Sequence, residues 1–196
     1  MLFRSGYNKI VKLLLEAGAD VDQAAEYGTT PLWVAAQKGY NKIVKLLLEA
    51  GADINKTDND GWTPLYIAAG NGYDRIVKLL LDSGADRDKA AEDGSTPLWI
   101  AAQEGHVACV KLLLDAGANP NKANVNNVTP LSIAVQKGHD EIIKMIIEHI
   151  LFSSAINTIL VADKKGMNIY DAFEVYLKVV KKNLKAAGLK EDLESK

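Results

Sequence analysis

A Thr-Pro-Leu triplet recurs four times in this 196-residue chain, and each triplet opens a segment that closes with glycine. The prolines of the triplets stand 33 residues apart, at Pro31, Pro64, Pro97 and Pro130. Two series of glycines keep the same spacing: Gly18, Gly51, Gly84 and Gly117, and Gly6, Gly39, Gly72, Gly105 and Gly138. A fixed period of this length predicts a solenoid of stacked units, because one such unit is too short to bury its own apolar face.

Each unit carries the signals of two short helices. Thr30 before Pro31 is typical of a helix start, since a threonine side chain caps free N–H groups and proline has no N–H to satisfy. Gly39 is placed to end this helix in the left-handed conformation. We expect Asn41 to cap a second helix that closes at Gly51. The apolar face of this second helix consists of Ile43, Val44, Leu47 and Leu48.

The combination of G-x-T-P-L, A-A-x-x-G, I-V-K-L-L-L and G-A-D in one 33-residue unit resembles the ankyrin repeat. The resemblance extends over roughly the first 150 residues. It implies an all-α fold, a solenoid of stacked helix-turn-helix units with short β-turn or hairpin loops. The complete units are 24–56, 57–89, 90–122 and 123–155, and residues 1–23 match the second half of an earlier unit, which makes about four and a half repeats.

The sequence departs from the ankyrin pattern in three ways. Where that family usually has histidine after Thr-Pro-Leu, this chain has Trp33, Tyr66, Trp99 and Ser132. Asn127 replaces the usual turn glycine of the last unit, so we expect a strained or reshaped hairpin there. The chain also enters the pattern in the middle of a repeat, and an open end of a stack exposes apolar surface unless something covers it.

The 33-residue register is lost after residue 150. Ser153 and Ser154 are placed to cap a new helix that ends near Gly166, and a second amphipathic stripe follows it. We expect residues 1–152 to form the solenoid and residues 153–196 to form a helical C-terminal segment that caps the stack. The alternatives for this segment are a docking helix or dimer seam, and a basic helix on a membrane surface.

The residue pattern offers no constellation for catalysis. The glycines stand singly at the repeat spacing and form no phosphate-binding loop. His106 and His139 occupy a position where other units have tyrosine, so packing explains them, and no histidine has partners at metal-ligand spacing. Cys109 lies on the apolar face of a second helix, which predicts a buried, inert thiol. We therefore expect no enzyme, no cofactor, no metal and no small-molecule substrate.

Charge and composition narrow the class of partner. The net charge is −2 and the pI is about 5.9, so no overall basic field favours nucleic acid. Lysines recur at the repeat spacing along the second helices, but a carboxylate follows each of them four residues later, and the two rows largely cancel. The single cysteine, with neither a signal peptide nor a membrane span in the sequence, predicts an intracellular and most simply a cytoplasmic protein.

The ankyrin resemblance implies a protein partner, bound at the turn tips and at the exposed face of each first helix along the concave side of the stack. The matching tip positions vary between units, which marks them as positions that packing does not dictate. They are Glu26, Tyr27 and Thr29; Asn59, Asp60 and Trp62; Glu92, Asp93 and Ser95; and Val125, Asn126 and Val128. The matching helix positions are Gln37, Lys38, Asn71, Gln103, Glu104, Gln136 and Lys137.

In three units the residue after Thr-Pro-Leu precedes a helix position of the predicted site by four residues, as Trp33 precedes Gln37, so the two share one helix face. The row of Trp33, Tyr66 and Trp99 has two compatible interpretations: packing between repeats, or the floor of a binding groove. Trp62 is the stronger binding candidate, because it stands at a tip position where the other units have smaller side chains.

These observations predict a monomeric, non-catalytic module that binds a protein partner. An engineered or consensus-like scaffold without a natural ligand is the main alternative, because GYNKIVKLLLEAGAD occurs unchanged at residues 6–20 and 39–53. A recent duplication would leave the same identity. A nucleic-acid-binding protein is the third and less favoured interpretation.

Overall fold

The computed structural model describes residues 2–164 and the single positions 171, 174, 177, 178 and 181. Within these residues the protein contains nine α-helices, one short 3-10 turn at Glu26–Gly28 and no β-strand. The helices are α1 Leu2–Glu16, α2 Pro31–Gln37, α3 Asn41–Glu49, α4 Pro64–Gly70, α5 Asp74–Asp82, α6 Pro97–Glu104, α7 Val107–Asp115, α8 Pro130–Lys137 and α9 Asp140–Lys164.

The Thr-Pro pairs begin the first helix of each complete unit, as the sequence predicts. In α2, the Thr30 side-chain oxygen accepts a hydrogen bond from the Trp33 backbone N–H at 3.2 Å, and Pro31 is the first helical residue. The same threonine cap, between 3.0 and 3.2 Å long, recurs in the other three units. Thr30 is buried, so its hydroxyl also satisfies a polar group that water does not reach.

The link between the two helices of a unit is shorter than the sequence suggested. Gly39 is left-handed with φ +73°, and the next residue, Tyr40, is the last non-helical position before α3. The prediction that Asn41 caps the second helix is therefore wrong, because Asn41 is already the first helical residue. Tyr40 takes the flanking position since its N–H is held by the Ala35 carbonyl oxygen at 3.0 Å, which closes the turn one residue early.

The helices form two layers that share one apolar core. The first helices α2, α4, α6 and α8 pack side by side in chain order, and so do the second helices α1, α3, α5, α7 and α9. Within a unit the two helices pack against each other, as α2 does on α3. Equivalent leucines such as Leu32, Leu65 and Leu98 are completely buried between the layers. Adjacent contacts of this kind stabilise a repeat stack unit by unit.

The C-terminal end of the stack differs from the sequence expectation. Helix α9 runs without interruption through Ser153 and Ser154 to Lys164, so the prediction that these serines cap a new helix is wrong. Serine tolerates a helix interior, and the apolar residues on both sides of the pair continue the helix. The stripe predicted beyond Gly166 lies outside the described residues apart from five single positions. The capping role of residues 153–196 stays a prediction.

Candidate functional site

The turn tips are four hairpins closed by the same hydrogen bond, and the first differs from the others in that Tyr27 is left-handed, with φ +66°. Each is closed by a hydrogen bond from the first tip residue to the fifth, as from the Ala25 N–H to the Thr29 carbonyl oxygen at 2.9 Å. The tips are also linked from unit to unit. The N–H groups of Asn59, Glu92 and Val125 donate to the carbonyl oxygens of the preceding tips, on Tyr27, Asp60 and Asp93, at 2.9, 3.2 and 2.9 Å. The tips therefore form one continuous row with a fixed spacing.

The last tip keeps this geometry without a glycine. Asn127 is left-handed with φ +59°, whereas Gly61 and Gly94 have φ +79° at the same position. Asparagine adopts this conformation more readily than most residues with a side chain. The hairpin is further held by Asn124, whose Oδ1 accepts from the N–H groups of Asn126 and Val128 at 3.0 Å each. The expected reshaping of this hairpin does not occur.

Most of the predicted tip side chains are accessible to a partner. Tyr27 and Val125 are 69% and 67% exposed, which is unusual for large apolar side chains. The other exposed residues of the predicted site are Glu26, Lys38, Asn59, Asp60, Asn71, Glu92, Asp93, Glu104, Asn126, Gln136 and Lys137. The half-buried ones are Thr29, Gln37, Trp62, Gln103 and Val128.

The aromatic row lies inside the stack. Trp33, Tyr66 and Trp99 are only 6%, 6% and 8% exposed. The indole N–H of Trp33 donates to the Trp62 carbonyl oxygen at 3.1 Å, and that of Trp99 donates to the Val128 carbonyl oxygen at 3.0 Å. Each ring thus ties its own unit to the turn of the next. Burial accounts for the row as packing between repeats, and the binding-groove interpretation of these three residues does not fit it.

Tyr66 makes the corresponding link through its hydroxyl. Its phenolic oxygen lies 3.0 Å from the Ser95 hydroxyl oxygen, which in turn donates to Asp93. Ser95 is completely buried, so its prediction as a partner-contacting residue is wrong, because its side chain serves this inter-repeat bond. Burial raises the pKa of Tyr66 above its usual value, although its hydrogen bond with Ser95 opposes this.

Ser132 interrupts the aromatic row for a structural reason. Trp33 and Trp99 each reach a turn carbonyl 29 residues further along the chain, and Tyr66 reaches the Ser95 hydroxyl at the same spacing. The residue 29 positions after Ser132 lies within helix α9, so this position is helical where the other units have a turn. Ser132 instead bonds Thr129 at 2.9 Å within its own cap. The loss of the 33-residue register after residue 150 is the sequence signal for this change.

Trp62 joins the tip row to the core. Its ring stacks on Tyr66 with the centroids 5.7 Å apart and the planes 15° from parallel. Its backbone N–H donates to the Asp58 carboxylate at 2.8 Å, which fixes the turn. One part of the ring therefore contributes to stability and the remainder faces solvent at the second tip.

The tips have one sign of charge. Residues 25–29, 58–62, 91–95 and 124–128 include five carboxylates and neither lysine nor arginine. The carboxylates are Glu26, Asp58, Asp60, Glu92 and Asp93. The predicted charge rows lie on the second helices instead, where exposed pairs such as Lys45 and Glu49 are 3.7 Å apart. The same pairing joins Lys12 to Glu16, Lys78 to Asp82 and Lys144 to Glu148. The charged side chains of the first three tips are therefore all negative, and the fourth tip carries none.

The remaining reactive side chains have structural roles. The His106 and His139 rings donate from Nε2 to the carbonyl oxygens of Gly70 and Gln103 in the preceding unit, both at 3.0 Å, which confirms that packing explains them. Cys109 is 1% exposed, which confirms the predicted burial, and this burial raises the pKa of its thiol to about 11. Across the described residues, no three His, Cys, Asp or Glu side chains are grouped as metal ligands would be.

Comparison with models of protein families shows which family this chain matches. A family model described as "Ankyrin repeats (3 copies)" matches residues 2–91 and 83–158. Ankyrin repeats are generally protein–protein interaction modules and are generally not enzymes. A comparison with curated proteins found no match. In the described part of the chain, no helix combines the length and hydropathy that a membrane span requires.

Proposed function

The chain belongs to the ankyrin-repeat family, and on that premise we propose that it is a non-catalytic module that binds a protein partner through its turn tips and the adjacent ends of its first helices. The observation that carries this proposal is a row of exposed, variable side chains on a backbone that is hydrogen-bonded from tip to tip. Such a surface loses little conformational entropy on binding, because its backbone is ordered beforehand.

The charge of the tips indicates the chemistry of the partner. Glu26, Asp60, Glu92 and Asp93 are exposed on three successive tips, and no basic side chain of the tip row neutralises them. Tyr27 adds a ring that is 69% exposed beside these carboxylates. A segment with two or more spaced lysines or arginines fits this surface, since opposite charges attract and an arginine stacks on an aromatic face.

The test compares charge reversals on two faces of the protein. Asp60→Lys with Glu92→Lys reverses the charge of one side chain on each of two tips. The control, Glu16→Lys with Glu49→Lys, reverses the charge of two carboxylates on the exposed second helices. Both variants are used as bait beside the wild type in affinity capture, with identification of the captured proteins. We expect the tip variant to lose the specific partner and the control to retain it. Equal capture by both variants would remove the tips from the proposed site.

A second candidate function rests on the internal identity of the chain. Residues 6–20 and 39–53 are the same 15 residues, as in a consensus-like scaffold built for stability without a natural ligand. The same capture experiment separates the two proposals. A captured partner that is lost with the tip reversal supports the binding module, whereas the absence of any partner specific to the wild type supports the scaffold. A cytoplasmic location is proposed for either case, on the single buried cysteine.

A further inference from the structure

The second complete unit departs from the other three at two positions. It has Gly70 at the end of α4, where the other first helices have glutamine. It has Trp62 at the tip, where the others have threonine, serine or valine. Glycine forms helices less readily than glutamine does, so helix propensity does not explain its presence in α4. The two differences together change the surface of this one unit.

The glycine leaves apolar surface uncovered between α4 and α6. The Ile100 side chain of α6 lies so close to Gly70 that an added Cβ atom would be 3.0 Å from it. Both residues are half-buried, so part of this contact faces solvent. Close packing does not require a glycine here, because Gln37 precedes Ile67 by the same 30 residues at the interface before it. The absent glutamine side chain therefore leaves space beside Ile100.

Trp62 contributes the second part of this apolar surface. Its ring stacks on Tyr66 with the centroids 5.7 Å apart, and Tyr66 stands four residues before Gly70 on α4. Residues four apart on a helix share a face, so the tyrosine and the glycine lie one turn from each other. Trp62 is half-buried, and the rest of its ring is accessible. Trp62, Gly70 and Ile100 are called the Gly70 surface below.

The tips beside this surface are acidic. Residues 58–71 and 91–104, the tips and first helices of the second and third units, contain five carboxylates and neither lysine nor arginine. Asp60 and Glu92 are exposed on adjacent tips, which are joined by the hydrogen bond from the Glu92 N–H to the Asp60 carbonyl oxygen at 3.2 Å. The first helices of the two outer units carry a lysine at the position of Asn71. The two central units are therefore the part of this layer that attracts cations.

Two further carboxylates lie near the stacked rings. Burial is the main cause of the raised pKa of Tyr66, and the charges of Asp93 and Glu104 raise it further, so both carboxylates lie near its hydroxyl. Glu104 also stands four residues after Ile100 on α6, which places it one helical turn away. Apolar surface and negative charge thus adjoin each other between the second and third units.

We propose that the Gly70 surface receives an aliphatic side chain of a partner segment that carries lysine or arginine on both sides of it. This inference rests on the proposed function at the tips and names the side chain that the second unit selects. The aliphatic group occupies the space left by the absent glutamine and contacts Trp62 and Ile100, where it is removed from water. The flanking cations pair with Asp60 and Glu92, because opposite charges attract across an interface.

The probe is a nonapeptide with blocked ends, Lys-Ser-Lys-Ser-Leu-Ser-Lys-Ser-Lys, which is titrated into the full chain. Alternate side chains of an extended peptide share one face, so the leucine and the lysines lie together, and the pattern is the same in both directions. A reference peptide has serine in place of the leucine. Tryptophan fluorescence and NMR of the isoleucine methyl groups report binding. We expect the leucine peptide to bind roughly fivefold more tightly, the effect of burying part of one leucine side chain, and to be alone in shifting the Ile100 signals.

A pair of opposite exchanges tests the location on the protein. Gly70→Gln introduces the residue of the other units beside Ile100, and Gln37→Gly makes the reverse change one unit earlier, where the tip has threonine. We expect Gly70→Gln to bind both peptides equally, because the glutamine takes the place of the leucine, and Gln37→Gly to keep the preference. Trp62→Thr, which gives the second tip the residue of the first, should also remove the preference. This variant decides the location where Gly70→Gln does not fold.

The outcomes separate this inference from the proposed function. Equal binding of the two peptides by the wild type, or a preference that survives in both Gly70→Gln and Trp62→Thr, would overturn the inference alone. Loss of both peptides on Asp60→Lys with Glu92→Lys would then still support the basic partner at the tips. If the wild type binds neither peptide, or if that charge reversal leaves binding unchanged, the basic partner is wrong and the inference is wrong with it.

Discussion

Three substitutions to phenylalanine test whether the aromatic row joins the repeats. Each removes one hydrogen-bonding group, and one of them also replaces an indole with a smaller ring. Trp99→Phe removes the indole N–H that donates to the Val128 carbonyl oxygen at 3.0 Å. Tyr66→Phe removes only the hydroxyl that bonds Ser95. Tyr27→Phe removes a hydroxyl from a ring that is 69% exposed at a tip. The three changes are chemically similar, and they differ in how much of the contact between units they remove.

The expected losses in free energy of unfolding follow from these contacts. A buried hydrogen bond contributes about 1 kcal/mol net. Trp99 is 8% exposed, so the smaller ring loses a further 1 to 2 kcal/mol, roughly that of two buried carbon atoms. We therefore expect a loss of about 2 to 3 kcal/mol for Trp99→Phe and about 1 kcal/mol for Tyr66→Phe. The exposed Tyr27→Phe should change stability by less than about 0.5 kcal/mol.

Urea unfolding monitored by far-UV circular dichroism measures all three variants. Because Trp99 bonds the turn of the last unit, its loss should also broaden the transition as that unit begins to unfold separately. The reasoning would be refuted if Trp99→Phe were as stable as Tyr27→Phe while capture of the partner was lost. That result would return the row to the binding surface.

Three further predictions concern single positions. Gly72→Ala should cost more in urea unfolding than Gly51→Ala: both are left-handed, which costs about 1 to 2 kcal/mol, but only at Gly72 would the new Cβ lie 2.6 Å from the His106 ring. Thr63→Ala, which removes the cap on Tyr66, should cost about 0.5 to 2 kcal/mol by the same measurement, and no loss would contradict the capping role. The pKa of Cys109 is about 11 in the folded protein against an ordinary value of 9.0, so the stability that the buried neutral thiol contributes is complete below pH 9 and is lost as the pH rises through 11. Cys109→Ser should flatten that decline. Ellman's reagent at pH 8 should label the wild-type thiol only as fast as the protein unfolds.

Local signals in the sequence were sufficient for the starts of the first helices and for the positions of the tips. A threonine followed by proline specifies a helix start through groups within three residues of each other, and the structure confirms it at Thr30 and its equivalents. The prediction that Asn41 caps α3 was wrong by one residue, because Tyr40 takes the cap position. The N–H of Tyr40 bonds a carbonyl in the preceding helix, and capping preferences do not reveal that bond.

The predicted site residues also divide into those whose exposure the local sequence predicts and those whose exposure depends on the next unit. Tyr27, Asp60 and Glu92 are exposed as expected, because hairpin tips project from a stack whatever their neighbours are. Trp33, Tyr66, Trp99 and Ser95 are buried instead, since the groups that receive them belong to the next unit. The sequence allowed both interpretations of the aromatic row. The burial of the rings and their hydrogen bonds to the next unit decided between them.

By itself, the sequence determined the ankyrin family, the period of 33 residues, the helix starts and the variable tips, all of which follow from short-range patterns that repeat in register. Only the tertiary structure decided which side chains remain accessible. The nine residues NKIVKLLLE are largely covered in α3 and largely exposed in α1, so burial here depends on the neighbouring helix and not on residue type. For that reason the aromatic row became an internal seam, and Ile10 and Leu14 of α1 are exposed where their counterparts in α3 are buried.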